Sequence, residues 1–450
     1  MNRPSARAAL AAELAASAEV LEAVQAGEHL DRALSAAGTQ LARLPADSRA
    51  PVRDMCYHAT RLFGLVEALA RSLNARAPGA RLAVLQQLAL SQLVDPIRHP
   101  GVIVDQAVEA ARLDRLTEAG AGFLNATLRR FLREREPMLE RVRREPAARW
   151  NHPTWWIEQL RSDHPSRWEQ LLEAGNLPPP LCLRVNQRRI SAQAYEALLI
   201  EAGFTVRVLA AHALAVSPPC EVERLPGWSE GLVSVQDAGA QWAAHLLPVG
   251  PGARVLDACA APGGKTAHLL ERFDCDVTAL DQNPARLAQV NDNLRRLGLS
   301  ARLIAGDAAD PRAWWDGRPF DHLLVDAPCT ASGIGRRVPE ARWLRRRGDL
   351  ATQAAAQTRI LEGLWPLLRP GGTLLFITCS VFDAEGPAVV ERFLRARPDA
   401  RLLPVSPMSS VSVLCEPARA GAGPGIHLLP VAESLRDHDG FFYCLIGKRA

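Results

Sequence analysis

Val255-Leu256-Asp257-Ala258-Cys259-Ala260-Ala261-Pro262-Gly263-Gly264-Lys265-Thr266 is the stretch on which the fold turns. Its first residues form an apolar run that ends at a carboxylate, the pattern of a buried strand. The glycines that follow let the backbone pass close to a ligand, and the helix expected after them aims free N–H groups into the same gap. A nucleotide P-loop needs Gly-x-x-x-x-Gly-Lys-Thr, but Cys259 occupies the first of those positions, and the Gly-x-Gly-x-x-Gly spacing of a dinucleotide loop is absent as well. The loop suits a ligand without a pyrophosphate. S-adenosylmethionine is such a ligand: it needs a carboxylate for its ribose hydroxyls and a close backbone for its methionine part.

Outward from this loop, from Ser234 on, apolar runs alternate with helical patterns, which predicts a mostly parallel sheet covered on both faces. The strand candidates are Arg254–Asp257, Val277–Asp281, Arg302–Ile304, His322–Asp326 and Thr373–Thr378. Ligands of open α/β sheets bind at the carboxyl ends of the strands, so the acids and cysteines there should converge. Asp281 follows the glycine loop at the interval expected of a ribose-binding acid, and Asp307, in Ala305-Gly306-Asp307-Ala308, would lie on the adenine side. Two further clusters close strands: Asp326-Ala327-Pro328-Cys329-Thr330 and Ile377-Thr378-Cys379-Ser380. A buried small residue is the ordinary reading of a lone cysteine. Two at neighbouring strand ends, with Asp326, match a chemical need. C5 of cytosine is too electron-poor to attack a methyl sulfonium until a thiolate adds to C6. One cysteine must be that nucleophile, an acid near N3 must stabilise the adduct, and a base must then remove the C5 proton.

Residues 1–140 carry apolar positions at helical spacing (Leu10, Leu14, Leu21; Leu62, Leu65, Leu69; Leu82, Leu85, Leu88) and predict an all-α domain. Within it, Gly122 to Arg133 joins an apolar stripe to a basic face, either a packed helix with solvated arginines or an RNA-facing one. Residues 141–233 read as a linker and a small α+β module. Trp150, Trp155 and Trp156 interleave with His152 and Arg161, more often a core than a base-stacking platform, and Leu181 to Asn186 alternates like a strand. The 450 residues, 48% hydrophobic, exceed one ordinary core. Nine cysteines without a CxxC pair or a Cys/His cluster predict neither zinc nor a disulfide framework. No apolar run reaches spanning length, so a cytoplasmic chain without membrane contact is expected. Of 53 basic residues only Lys265 and Lys448 are lysine, which marks Lys265 in the loop as a position where arginine does not serve.

The motifs Asp-Ala-Cys-Ala-Ala-Pro-Gly-Gly-Lys-Thr (257–266), Asp-Ala-Pro-Cys (326–329) and Thr-Cys-Ser (378–380) resemble the Sun family of RNA cytosine-C5 methyltransferases. With Asn125-Ala126-Thr127-Leu128-Arg129-Arg130 closing a helical domain similar to the antitermination factor NusB, and Asp439-Gly440-Phe441-Phe442 near the end, the whole chain resembles the bacterial RsmB-type 16S rRNA methyltransferases. The resemblance implies a NusB-like all-α RNA-binding domain (1–140), a small α+β RNA-contacting module (141–233) and a Rossmann-like class I methyltransferase domain (234–450). It implies that Cys379 is the nucleophile, that Cys329 assists release of the methylated RNA, and that Asp326 belongs to the catalytic set. It assigns S-adenosylmethionine contacts to Cys259, Ala260, Ala261, Pro262, Gly263, Gly264, Lys265, Asp281, Asp307 and Asp326, with no metal. The implied substrate is a cytosine of 16S rRNA, free or in an incompletely assembled small subunit, acted on by a monomer and unstacked to reach Cys379. Arg336, Arg337, Arg342 and Arg345 to Arg347 would line its phosphate path or form a solvated helix face. The sequence departs from the family pattern in Thr330-Ala331-Ser332-Gly333-Ile334 and in Gly386 after Glu385. Rival readings are a tRNA or 23S rRNA substrate, or a non-catalytic RNA-binding assembly or antitermination factor.

Overall fold

The computed structural model describes residues 6–42, 44–45, 48–210, 213–405, 424–432 and 437–450. The chain forms two compact units, one of Met1–Asn176 with Gly335–Arg346 and one of Leu177–Ile334 with Arg347–Ala450. None of the described helices is long and apolar enough to cross a membrane.

The first unit is helical, as the spacing of its leucines predicts. Helices Ala6–Gln25, Arg49–Arg61, Phe63–Leu73, Ala80–Val94, Pro100–Leu113 and Ala121–Arg133 turn Leu14, Val52, Leu69, Leu88, Ala107, Leu124, Leu128 and Phe131 into one core. In the last of these helices the apolar positions recur every three or four residues (Leu124, Leu128, Phe131), while Arg129, Arg130 and Arg133 are exposed. The stretch therefore has both the packed stripe and the basic face. Arg129 pairs with Asp105 at 3.4 Å and Arg130 with Glu134 at 3.2 Å.

The segment Gly335–Arg346, which follows the Asp-Ala-Pro-Cys loop in sequence, is part of this helical unit. That corrects the expectation for its arginines. Arg336 and Arg342 are 1% and 0% exposed, so neither lines an open phosphate path nor forms a solvated face. The Arg342 guanidinium donates to Asn176 Oδ1 (2.6 Å), Gly175 O (2.7 Å) and Asn151 O (3.1 Å), and lies 3.0 Å from His152 Nε2. Burial, and then the charge of Arg61, lower its pKa to about 9. Burial, reinforced by Arg342, pushes the His152 imidazole well below its ordinary value, so it stays neutral. Glu340 accepts from Leu30 N (3.1 Å), and Trp343 meets Phe63 edge-on at 5.0 Å. Trp343 and Leu344 close one wall of a cavity of about 220 Å³ whose other walls include Leu21, Val24, Phe63, Val66 and Leu88. Arg345 is half-buried, and Arg346 and Arg347 are exposed.

The second unit begins with a small antiparallel sheet of β1 (Leu181–Val185), β2 (Thr205–Ala210), β3 (Ala213–Ser217) and β4 (Val233–Val235), in the order β2-β3-β1-β4. Helix Ala192–Glu201 packs Tyr195 and Leu199 on it, and Ser191 caps that helix by accepting from Ala194 N.

The larger sheet contains β5 (Ala253–Ala258), β6 (Cys275–Asp281), β7 (Arg302–Ala305), β8 (Phe320–Asp326), β9 (Leu368–Thr378), β10 (Ala400–Leu402), β11 (Ile426–Leu428) and β14 (Phe441–Lys448), with a separate ribbon of β12 (Val431–Ala432) and β13 (Asp437–His438). Its order is β10-β14-β9-β8-β5-β6-β7, with β11 on β14. Each of the expected strands is present, and β5 to β9 pair in parallel. Side chains alternate between two cores, as a period of two requires: Val255, Leu324, Leu375 and Ile377 on one face, and Leu256, Leu323, Val325, Leu374 and Phe376 on the other. Strand order reverses between β5 and β8. The crevice expected at such a switch point lies where Asp257 and Asp326 end their strands.

Candidate active site

At the end of β5 the chain must turn sharply into helix Gly264–Arg272. Cys259 takes φ 61° and Gly263 φ +94°, left-handed conformations of which only the second is cheap. A Cβ on Gly263 would also lie 2.9 Å from Val290 Cγ1. The turn is braced from three sides. Asp281, at the end of β6 and 3% exposed, accepts from Ala261 N (3.1 Å) and Asn283 N (3.0 Å). Arg286 donates to Ala261 O (2.6 Å). Arg184 of β1, 1% exposed, donates to Gly264 O (2.8 Å) and Gln236 Oε1 (2.6 Å) while its Nη2 and Nε donate a pair of hydrogen bonds to the Glu271 carboxylate (2.7 and 2.8 Å).

Carboxylates dominate the crevice. Asp257 is fully buried and accepts from Thr266 Oγ1 (2.5 Å). Burial raises its pKa to about 7; the Thr266 bond opposes that, and the charges of Asp326 and Asp281 add to it. Lys265 Nζ donates to Asp326 Oδ2 (2.6 Å) and lies 5.8 Å from the Phe441 ring. Burial works against the ammonium, but Asp326 outweighs it and raises the Lys265 pKa, so the pair is ionic. Burial, with Asp326 and Asp281 nearby, pushes the Cys259 thiol up to about 12. A neutral thiol in the loop does not compete as a nucleophile.

Past this pair, the ends of β8 and β9 bring Cys329 Sγ within 3.2 Å of Cys379 Sγ. The constellation read from the sequence is therefore one site. The thiol contact with Cys379 first, then burial, the Cys379 charge and Glu385 hold the Cys329 pKa well above its ordinary value, so Cys329 keeps the proton. Asp307 follows Gly306, whose N–H donates to Asp281 O (3.1 Å) at the end of the neighbouring strand. Asp307 itself is exposed, and its carboxylate accepts from Ala309 N (2.8 Å) in a local turn.

Several contributors escaped sequence reasoning. Glu385 is 0% exposed and accepts from Thr330 N (2.7 Å), Thr330 Oγ1 (2.5 Å) and Ser380 Oγ (2.6 Å). Ser332 Oγ meets Ser380 Oγ at 2.8 Å, and Gly333 N donates to Cys379 O (2.9 Å). A signal existed only for the serines and threonine, each next to a motif cysteine or glycine; nothing local marks Glu385 or Arg184.

The donor set fits S-adenosylmethionine. Asp257, Asp281 and Asp326 gather negative charge where a pyrophosphate would be repelled and a sulfonium, an ammonium and ribose hydroxyls are welcome. Asp257 Oδ1 is a buried acceptor with no hydrogen-bond partner among the described residues, the kind of atom a bound donor satisfies.

Residues 244–446 match the family model described as 16S rRNA methyltransferase RsmB/F, and residues 152–223 match that of an RsmF/B-like ferredoxin-like domain. The chain is 38% identical to the ribosomal RNA small subunit methyltransferase B of Vibrio cholerae, covering 97% of both chains. It is likewise 38% identical to the protein of that name from Pseudomonas putida, covering 97% of this chain and 98% of the relative. Among solved structures, a methyltransferase homolog protein from Pyrococcus horikoshii superposes with a TM-score of 0.55 at 27% identity, covering 67% of this chain and 97% of that one.

Proposed function

The chain belongs to the RsmB/F family of 16S rRNA methyltransferases, and from that premise we propose that it methylates C5 of a cytosine in 16S rRNA through a covalent bond from Cys379 to C6. The cofactor is S-adenosylmethionine, which supplies an electrophilic methyl group. The observation that carries the reading is the 3.2 Å contact of the two sulfurs, one of them held protonated. Cys379 attacks as thiolate: its electron pair forms the S–C6 bond, and the C5=C6 pair moves toward C5 as N3 takes a proton from solvent. Asp326, fixed by Lys265, stabilises the protonated N3 edge. After C5 has taken the methyl group, its proton passes to solvent, the C5–H pair restores the C5=C6 bond, N3 gives back the proton it took, and Cys379 leaves as thiolate. Cys329 assists this last step. Cys259 to Lys265, Asp281 and Asp326 would hold the cofactor, Asp281 at the ribose, with Asp307 on the adenine side.

The helical region is a NusB-like RNA-positioning domain and the module between it and the catalytic domain contacts RNA. The enzyme is a cytoplasmic monomer that acts on free or incompletely assembled small-subunit RNA.

Single substitutions of the two cysteines test the mechanism, because their consequences differ in kind. Cys379→Ala should abolish methyl transfer and form no covalent complex with RNA. Cys329→Ala should accumulate a protein–RNA adduct that survives denaturing electrophoresis. Exchange of these phenotypes would make Cys329 the nucleophile, and adducts from neither variant nor from wild type on 5-azacytidine-substituted RNA would reject covalent catalysis.

A further inference from the structure

Two thiols in contact pose a problem of choice. Either sulfur can donate to the other, so once one proton has left the pair the remaining one is shared, and either could present the thiolate to C6. A single buried carboxylate reaches the residue after each of them: Glu385 accepts from both the N–H and the hydroxyl of Thr330, next to Cys329, and from the hydroxyl of Ser380, next to Cys379. The two loops are also stitched by Ser332 to Ser380 (2.8 Å), by Val381 N to Ser332 Oγ (2.9 Å) and by Gly333 N to Cys379 O (2.9 Å). Glu385, an acid in this network, is fully buried.

We propose that Glu385 is a positioning residue that decides which cysteine is the nucleophile, tying the two loops at thiol contact and, by its charge, keeping the shared proton on Cys329. The inference rests on Cys379 being the nucleophile. A carboxylate beside Cys329 disfavours a second negative charge there, in accord with the upward push that Glu385 adds to that thiol. Once one proton has left the pair for solvent, the other lies on Cys329 and the lone pair on Cys379, ready for attack at C6. At the end of the cycle the same bias lets Cys379 leave as thiolate. No atom is gained or lost at Glu385 itself.

Glu385→Gln separates charge from tether. Its amide oxygen can still accept from Thr330 N, and its NH₂ can donate to the Thr330 and Ser380 hydroxyls, which rotate to accept. The experiment uses the full-length enzyme, labelled with limiting iodoacetamide across pH 6 to 9 and read by peptide mass spectrometry, alongside steady-state methylation of 16S rRNA. Wild type should label at Cys379. Glu385→Gln should move the ratio of Cys329 to Cys379 labelling up by about tenfold, the equivalent of about one pKa unit, and lower kcat while leaving KM for RNA in place. A residue with a purely structural role would lower both sites' protection and the melting temperature without changing the ratio. Thr330→Val is the second variant, to be read if Glu385→Gln does not fold: it removes one tether and keeps the charge, so kcat should fall while labelling stays at Cys379. An unchanged ratio in Glu385→Gln, or a shift of labelling to Cys329 in Thr330→Val, overturns the role assigned to Glu385. The nucleophile assignment fails by a different result, a wild-type RNA adduct mapped to Cys329.

Discussion

Asp257 shows how one side chain trades stability for function. Its folded pKa of about 7 stands above the ordinary value of 3.8, so the folded protein binds this proton more tightly than the unfolded chain. The sign follows directly. Below pH 4 both states are protonated and the group is neutral to stability; between pH 4 and about 7 the unfolded chain ionises first, and stability falls as pH rises; above that the penalty is constant. One proton corresponds to a slope of about 1.4 kcal/mol per pH unit. Urea denaturation at several pH values should therefore give a flatter profile between pH 4 and 7 for Asp257→Asn than for wild type; parallel profiles would show that the carboxyl ionises freely in the fold. Asp281 makes the complementary case. Its carboxylate is committed to Ala261 N and Asn283 N, so Asp281→Ala loosens the loop as well as removing the proposed ribose partner. Calorimetry should show S-adenosylmethionine binding weakened by about 1–3 kcal/mol, and no ATP binding to either protein. Both aspartates were legible from their places at strand ends. Glu385 was not, because an isolated acid 55 residues from Thr330 in sequence gives no local sign that it will be buried against it. Arg342 was misread for a related reason: arginine is ordinarily solvated, and it is backbone carbonyls and the Asn176 amide oxygen, all distant in sequence, that make its burial tolerable.

At the scale of elements, the parallel strands were readable as short apolar runs ending in acids. Strand β14 was not, though Phe441 to Ile446 is uniformly apolar. It follows no helix and returns antiparallel on β9, and periodicity alone does not tell where a terminal run will pair. Its approach matters to the site. Gly440 N donates to Gly333 O (2.7 Å), which draws the turn before β14 against the loop that follows Cys329. A Cβ on Gly333 would fall 2.2 Å from Gly440 O, a backbone atom that cannot rotate away. Gly333→Ala should cost about 1–3 kcal/mol in denaturant titrations and depress methyl transfer further than that loss of folded protein explains. Activity in proportion to the folded fraction would mean that this turn supports the sheet alone.

For the whole molecule, RNA affinity should be carried in part by exposed arginines of the helical unit. Replacing Arg129, Arg130 and Arg133 with glutamine should reduce the slope of log affinity against log salt by about 2, with roughly 0.7–0.9 per phosphate contact, as read by anisotropy on a 16S rRNA fragment. An unchanged slope would leave Arg129 and Arg130 in the roles of partners to Asp105 and Glu134. The passage of Gly335–Arg346 into that same unit has a consequence for how the protein is made. A ribosome delivers residues up to Asn176 first, with the apolar wall of Leu21, Val24, Phe63, Val66 and Leu88 lacking Trp343 and Leu344. At about 5–20 residues per second, the missing piece emerges roughly 10–30 s later. Throughout that interval the nascent helical unit presents an open greasy slot, suited to a chaperone, and it is sealed only once the catalytic loop has already been translated. Stalled chains ending before Gly335 should consequently be cut by protease within the helices, and those stalled well past Arg346 should resist.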